Sequence, residues 1–153
     1  MIHYRTVIFS GLLATLLGLG ACSMKPMMHN TNSNTSAMTT RLSGASEVPP
    51  VMSSASGTVE ATLNKQTSEL SWTVTYSGLS GPATGAHFHG PAMAGANAGV
   101  VVPITGSLTS PIRGVASLTA AQAADLMAGK WYVNLHTAAN PNGEIRGQLP
   151  ARP

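Results

Sequence analysis

The sequence predicts an all-β fold: an antiparallel, Greek-key-like β-sandwich with one short helix near residues 119–128. Charged residues make up only 8% of the 153-residue chain, which contains 16 glycines and 10 prolines. This composition is typical of a turn-rich β protein rather than of a helical bundle. From residue 41 onward, short segments with apolar side chains at every second position are separated by turn residues. About seven or eight such strands at this spacing favour a sandwich or barrel of antiparallel strands.

Two strands of the first half form a predicted hairpin. Residues 57–63 and 70–76 alternate between apolar and polar side chains, and residues 64–68 supply the loop between them. The alternation places one apolar set toward the core: Val59, Ala61, Leu63, Leu70, Trp72, Val74 and Tyr76.

A helix is predicted after three further strand-like segments at 85–91, 99–104 and 112–116. Thr119 and Gln122 have the spacing of a capping box, and Gly129 fits the position just beyond the last helical turn.

The last two strands are predicted at residues 130–137 and 144–149, joined by a turn at 140–143 with proline second and glycine fourth. One face of the first strand carries Trp131, Val133 and Leu135, and the other carries Tyr132, Asn134 and His136. On the returning strand, Glu144 and Arg146 are expected to form a surface ion pair.

Residues 1–21 have the features of an export signal. Arg5 precedes an apolar core at residues 7–19, which is too short to span a membrane comfortably. Small residues then lead to Cys22, the only cysteine. Residues 19–22, Leu-Gly-Ala-Cys, resemble the lipobox of bacterial lipoproteins, in which the cysteine is acylated and the leader is cleaved before it. The alternative is an ordinary secretory leader with an incidental cysteine.

The resemblance to lipoproteins implies that acylated Cys22 anchors the mature protein to a lipid bilayer without spanning it. We therefore expect a cell-envelope location, at the outer membrane and facing the periplasm or the surface. Palmitate is a typical acyl group of such anchors.

Residues 22–40, rich in Asn, Ser, Thr and Met, are predicted to form a flexible tether, because they show no apolar period. Met24, Met27, Met28 and His29 carry side chains that suit Cu(I), so this segment is either a spacer or a weak copper-collecting arm. The folded domain is predicted at 41–149, followed by a C-terminal tail at 150–153.

Nucleic-acid binding is not expected from the charge pattern. The formal net charge is +3, and removal of the leader with its single arginine leaves seven basic and five acidic residues, a net charge of about +2. No basic cluster remains that would follow a phosphate backbone.

Three of the four histidines beyond the export signal lie in two predicted strands: His87 and His89 in one, His136 in the other. His87 and His89 share a face because strand side chains alternate. If strand pairing brings His136 beside them, the three imidazoles form a site for copper, or next for zinc. The alternative is that these histidines are structural and bond backbone carbonyls.

Several separated motifs resemble the CHRD domain, named for its repeats in chordin and widespread in bacterial exported proteins. They are found at residues 42–50, 86–92, 131–137 and 140–149, so that the likeness spans about 41–149. The resemblance implies a β-sandwich without an established enzymatic activity.

A weaker, local likeness concerns the His-x-His strand, which is similar to the copper-binding strand of Cu,Zn superoxide dismutases. Carried over, His87 and His89 would match paired copper ligands and His136 a later one. The zinc constellation is missing, no intramolecular disulfide can form, and the only aspartate, Asp125, falls in the predicted helix.

The sequence therefore predicts a non-catalytic, membrane-anchored protein that binds a metal ion through His87, His89 and His136. The alternative is a module that binds another, unidentified envelope protein or component, and a dismutase-like copper enzyme comes third. No serine nucleophile motif and no phosphate-binding glycine loop is present.

Overall fold

The computed structural model describes residues 34–152, and this part of the chain contains eight strands and one α-helix. No helix in this part is long and apolar enough to cross a membrane. The predicted export signal, Cys22 and the methionine-rich segment lie outside the described residues. The elements are β1 Thr35–Ser43, β2 Ser56–Asn64, β3 Glu69–Ser77, β4 Ala83–His89, β5 Val100–Pro103, β6 Ile112–Ser117, α1 Ala120–Met127, β7 Tyr132–Thr137 and β8 Ile145–Gln148.

The predicted fold class is confirmed, and the structure adds that all eight strands belong to one sheet. The strand order is β5-β4-β7-β8-β1-β2-β3-β6, and every neighbouring pair is antiparallel. Neighbours distant in sequence, such as β1 and β8, give the Greek-key-like character. Trp72 on β3 and Phe88 on β4 stand near opposite ends of this order, yet their ring centroids are 5.0 Å apart. The sheet therefore curls so that its two halves enclose one core.

The hairpin and the helix form as predicted. Val59 and Val74 are register partners in the β2–β3 hairpin, and both are fully buried. Thr119 and Gln122 make the reciprocal hydrogen bonds of a capping box. Gly129 has φ of +72°, a left-handed conformation that glycine adopts without strain.

The boundary between tether and domain lies earlier than predicted. Strand β1 begins at Thr35, so that residues 35–40 belong to the sheet and not to a tether. Ser36, Met38 and Leu42 are all buried, which is the period-two pattern of a strand. The many serines and threonines concealed this pattern, because hydroxyl side chains are common in tethers as well as in strands.

The turn after β7 is confirmed, since the Gly143 N–H donates to the Asn140 carbonyl over 3.1 Å.

The predicted surface ion pair of Glu144 with Arg146 is wrong. Glu144 is 0% and Arg146 2% exposed, and among the described residues the two do not pair. Each charge has its own partner in a loop that is distant in sequence. Ser53 Oγ donates to the Glu144 carboxylate, and the Arg146 guanidinium donates to Asn97 Oδ1.

Candidate metal centre

The pairing of β4 with β7 brings the three histidines together. The register places Gly85 opposite His136 and His87 opposite Asn134. Because alternate side chains share a face, His87, His89 and His136 all project from one side of this strand pair. One ring nitrogen from each of the three lies within 4.8 Å of those of the other two. His87 Nδ1 lies 3.0 Å from His136 Nε2, within hydrogen-bond distance.

Gly85 provides room for this convergence. A Cβ at this position would lie 3.1 Å from His87 Cε1 and 3.5 Å from His136 Cδ2. A larger residue would push the His87 ring, so the glycine in the middle of a strand has a packing function.

Two backbone carbonyls determine which ring nitrogens carry hydrogen. His89 Nδ1 lies 3.0 Å from the Ala98 carbonyl oxygen, and His136 Nδ1 lies 3.0 Å from that of Pro141. A carbonyl oxygen only accepts, so each Nδ1 donates its hydrogen. In the neutral ring, Nε2 then has a free lone pair, which is the form of imidazole that binds a metal.

The surroundings favour neutral rings. Burial lowers the pKa of His87, and the nearby His136 and His89 lower it further. Burial also lowers the pKa of His136, although the hydrogen bond to Pro141 opposes this effect. At neutral pH these two rings are therefore uncharged and ready to bind a cation without first losing a proton.

Asn134 adjoins two of the three rings. Its Oδ1 atom lies 2.9 Å from His89 Nε2 and 3.0 Å from His136 Nε2. Thr137 and Glu144, at the ends of the β7–β8 turn, instead bond each other.

Glu47 lies behind Asn134 and was not identified from the sequence. It is 6% exposed, and the Asn134 side chain acts toward it as a hydrogen-bond donor. The contact is loose, because Glu47 Oε1 lacks a well-formed hydrogen bond. Burial raises the pKa of Glu47 to about 7, against the opposing effects of Arg146 and Asn134.

The His89 ring belongs to a stack of three side chains, with Tyr132 in the middle and Arg146 at the far end. The ring of Tyr132 is parallel to that of His89, with centroids 4.7 Å apart. The Arg146 guanidinium carbon lies 3.4 Å from the Tyr132 ring centroid, a cation–π contact. Both partners cannot occupy one face of Tyr132 at these distances, so the ring is held between them.

A second metal site of the dismutase kind is not found among residues 34–152, where the three histidines form the only such cluster. Asp125 lies in α1, as predicted, and pairs with Lys130 at 3.1 Å.

No curated protein and no solved structure matches this chain. The family model of the CHRD domain matches residues 38–149, nearly all of the described part. That span includes the strands that carry the three histidines, the Asn134 amide and the buried Glu47. The chain therefore belongs to the CHRD domain family.

Proposed function

We propose that this protein is a non-catalytic binding protein that holds a transition-metal ion, copper first and zinc second, through His87, His89 and His136. The observation that carries the proposal is the convergence of three imidazole nitrogens within 4.8 Å. Imidazole nitrogen is a ligand that suits both metals, and three such ligands leave a further coordination position.

We also propose that this protein carries a lipid anchor. The export signal and the lone Cys22 support acylation at that cysteine and attachment to a membrane of the cell envelope, at the outer membrane and facing the periplasm or the surface. Mass spectrometry of the mature N-terminus tests this directly. A diacylglycerol-modified Cys22 is expected, and an unmodified N-terminus at any other residue would contradict it.

Metal uptake is the decisive experiment. The full chain carrying Cys22→Ser, loaded with Cu(II) or Zn(II) and then dialysed, is expected to retain one ion per chain. His87→Ala should abolish this retention. His87 suits the test because its ring contacts other side chains, whereas His89 and His136 also hold backbone carbonyls.

His29→Ala is the matched control, since it removes a histidine of the methionine-rich segment and leaves the three converging rings intact. Unchanged retention is expected. Equal uptake by the unsubstituted chain and His87→Ala would contradict the metal site.

The second candidate is an interaction module with structural histidines, which would bind an envelope protein or component. It is favoured by the fact that His89 and His136 already have backbone partners. Under this candidate, neither metal is retained stoichiometrically. Superoxide turnover by the copper-loaded chain would instead support the third candidate, a dismutase-like enzyme.

A further inference from the structure

Three acceptor atoms face one another at the histidine cluster, and among the described side chains His87 Nδ1 can donate a hydrogen to one of them, His136 Nε2, over 3.0 Å. The Ala98 and Pro141 carbonyls take the Nδ1 hydrogens of two rings, so that Nε2 of His89 and of His136 are acceptors when the rings are neutral. Asn134 Oδ1, also an acceptor, points at both. The two contacts of Asn134 Oδ1 with these nitrogens therefore bring acceptor against acceptor, and a cation placed among the three atoms relieves this repulsion.

We infer that Asn134 Oδ1 is a fourth ligand of the proposed metal centre, and that the resulting N₃O set selects Cu(II) or Zn(II) over Cu(I). This inference rests on the proposed function and specifies its metal. Amide oxygen is a harder ligand than imidazole nitrogen or thioether sulfur, and Cu(I) prefers soft ligands.

Three of the separations between the candidate ligand atoms agree with a compact coordination shell. Bonds of about 2.0–2.1 Å place adjacent ligand atoms about 2.9 Å apart at right angles and about 3.4 Å apart at a tetrahedral angle. The separations of 2.9 Å from Asn134 Oδ1 to His89 Nε2, and of 3.0 Å from it to His136 Nε2, match the first case. So does the 3.0 Å between His136 Nε2 and His87 Nδ1. Right-angled N,O coordination is typical of Cu(II).

Glu47 favours one orientation of the amide. The Asn134 NH₂ group faces the Glu47 carboxyl group, which leaves the amide oxygen pointing at the rings. Gly143 makes this contact possible, because a Cβ there would collide with Glu47 Oε1 and Asn134 Nδ2. A carboxylate behind the amide would also offset part of the charge of a divalent ion.

The test compares Asn134→Leu, which removes the oxygen at similar volume, with the unsubstituted site, both in the full chain carrying Cys22→Ser. Affinities for Cu(II), Zn(II) and Cu(I) are measured by competition with chelators, and Cu(II) coordination by electron paramagnetic resonance. We expect binding of Cu(II) and Zn(II) to weaken at least ~10-fold, the Cu(II) spectrum to change and Cu(I) binding to stay within about threefold.

Two further variants make the result specific. Asn134→Asp restores an oxygen ligand and should restore Cu(II) affinity. Asn142→Ala alters an exposed asparagine that lines the adjoining cavity of about 380 Å³ and should change neither affinity nor spectrum. Thermal unfolding of each variant confirms that it is folded.

The outcomes separate the two proposals. Unchanged Cu(II) affinity and spectrum in Asn134→Leu, or equal weakening for Cu(I) and Cu(II), would overturn the fourth-ligand assignment while three-histidine binding stands. Absence of stoichiometric metal in the unsubstituted site would overturn both.

Discussion

Glu144 is a carboxylate without access to solvent and has four hydrogen bonds. Ser53 Oγ and the Ser80 N–H donate to Oε1, while Ser80 Oγ and Thr137 Oγ1 donate to Oε2. Burial alone would raise the pKa of Glu144, but these hydrogen bonds outweigh it and lower the pKa from 4.5 to about 2. The residue thus ties together two loops and the end of β7.

Glu144→Gln is expected to lower the free energy of unfolding by about 2–4 kcal/mol, because charge-assisted hydrogen bonds are lost and a buried NH₂ group is introduced among donors. Chemical denaturation at neutral pH measures the loss. The exposed Glu60 on β2 offers the control, and Glu60→Gln should change the stability by less than about 0.5 kcal/mol.

The same residue predicts an acid dependence. Its folded pKa lies below the unfolded value of 4.5, so its contribution is complete above that value and is lost as the pH falls from 4.5 toward 2. The stability difference between the unsubstituted protein and Glu144→Gln should therefore shrink across this range. A difference that stays constant down to pH 2 would contradict the assignment.

Strand alternation was enough to predict that His87 and His89 share a face, whereas the position of His136 beside them depends on the pairing of β4 with β7. Glu47 could not be predicted, because it lies in an irregular loop whose position depends on the whole strand order. The burial of Glu144 and Arg146 was missed for a related reason: loops from distant parts of the sequence cover β8, and a strand pattern carries no information on what covers it.

At the level of elements, the turn between β7 and β8 determines the shape of the candidate site. Gly143 has φ of +126°, and its missing Cβ leaves room for Glu47 and Asn134. Gly95 has a similar left-handed conformation, with φ of +85°, but nothing lies within 4 Å of where its Cβ would be.

Gly143→Ala should therefore destabilise the protein by about 2–4 kcal/mol, from backbone strain and collision together, whereas Gly95→Ala adds only strain of about 1 kcal/mol. Thermal unfolding compares the two. Metal affinity should fall in Gly143→Ala alone, because the displaced amide no longer points at the rings. Equal effects of the two substitutions would refute the role of the collision.

The start of β1 gives a prediction about truncation. A chain beginning at residue 41 loses the pairing of Thr35–Thr40 with β2 and the buried side chain of Met38. We expect it to be less stable than a chain beginning at residue 34 by on the order of 3 kcal/mol or more. Denaturant unfolding of the two purified chains tests this, and equal midpoints with equal slopes would mean that residues 35–40 contribute nothing.

At the scale of the whole molecule, alternation and turn chemistry were enough to predict the class of fold and most strand positions. The strand order was not predictable, since it depends on pairings such as that of β1 with β8, the first and last strands of the described part. Local patterns specify a face for each strand and not a neighbour.

Metal binding should also stabilise the fold as a whole. An ion that binds only the native state adds about 2.7 kcal/mol when its free concentration is 100 times Kd. Calorimetry with and without Zn(II) should show a rise in Tm that grows with metal concentration. His87→Ala should abolish this rise and His29→Ala should leave it unchanged; a rise that survives His87→Ala would place the bound ion elsewhere.

The sheet does not close, and its two terminal strands in the described part are β5 and β6. Open backbone groups at such strands invite pairing with other copies, which leads to aggregation. Here β5 has only four residues and ends in Pro103, which has no N–H to donate. Strand β6 follows Pro111 and carries the exposed cation Arg113. Copies crowded together on a surface would accordingly resist joining edge to edge into fibrils.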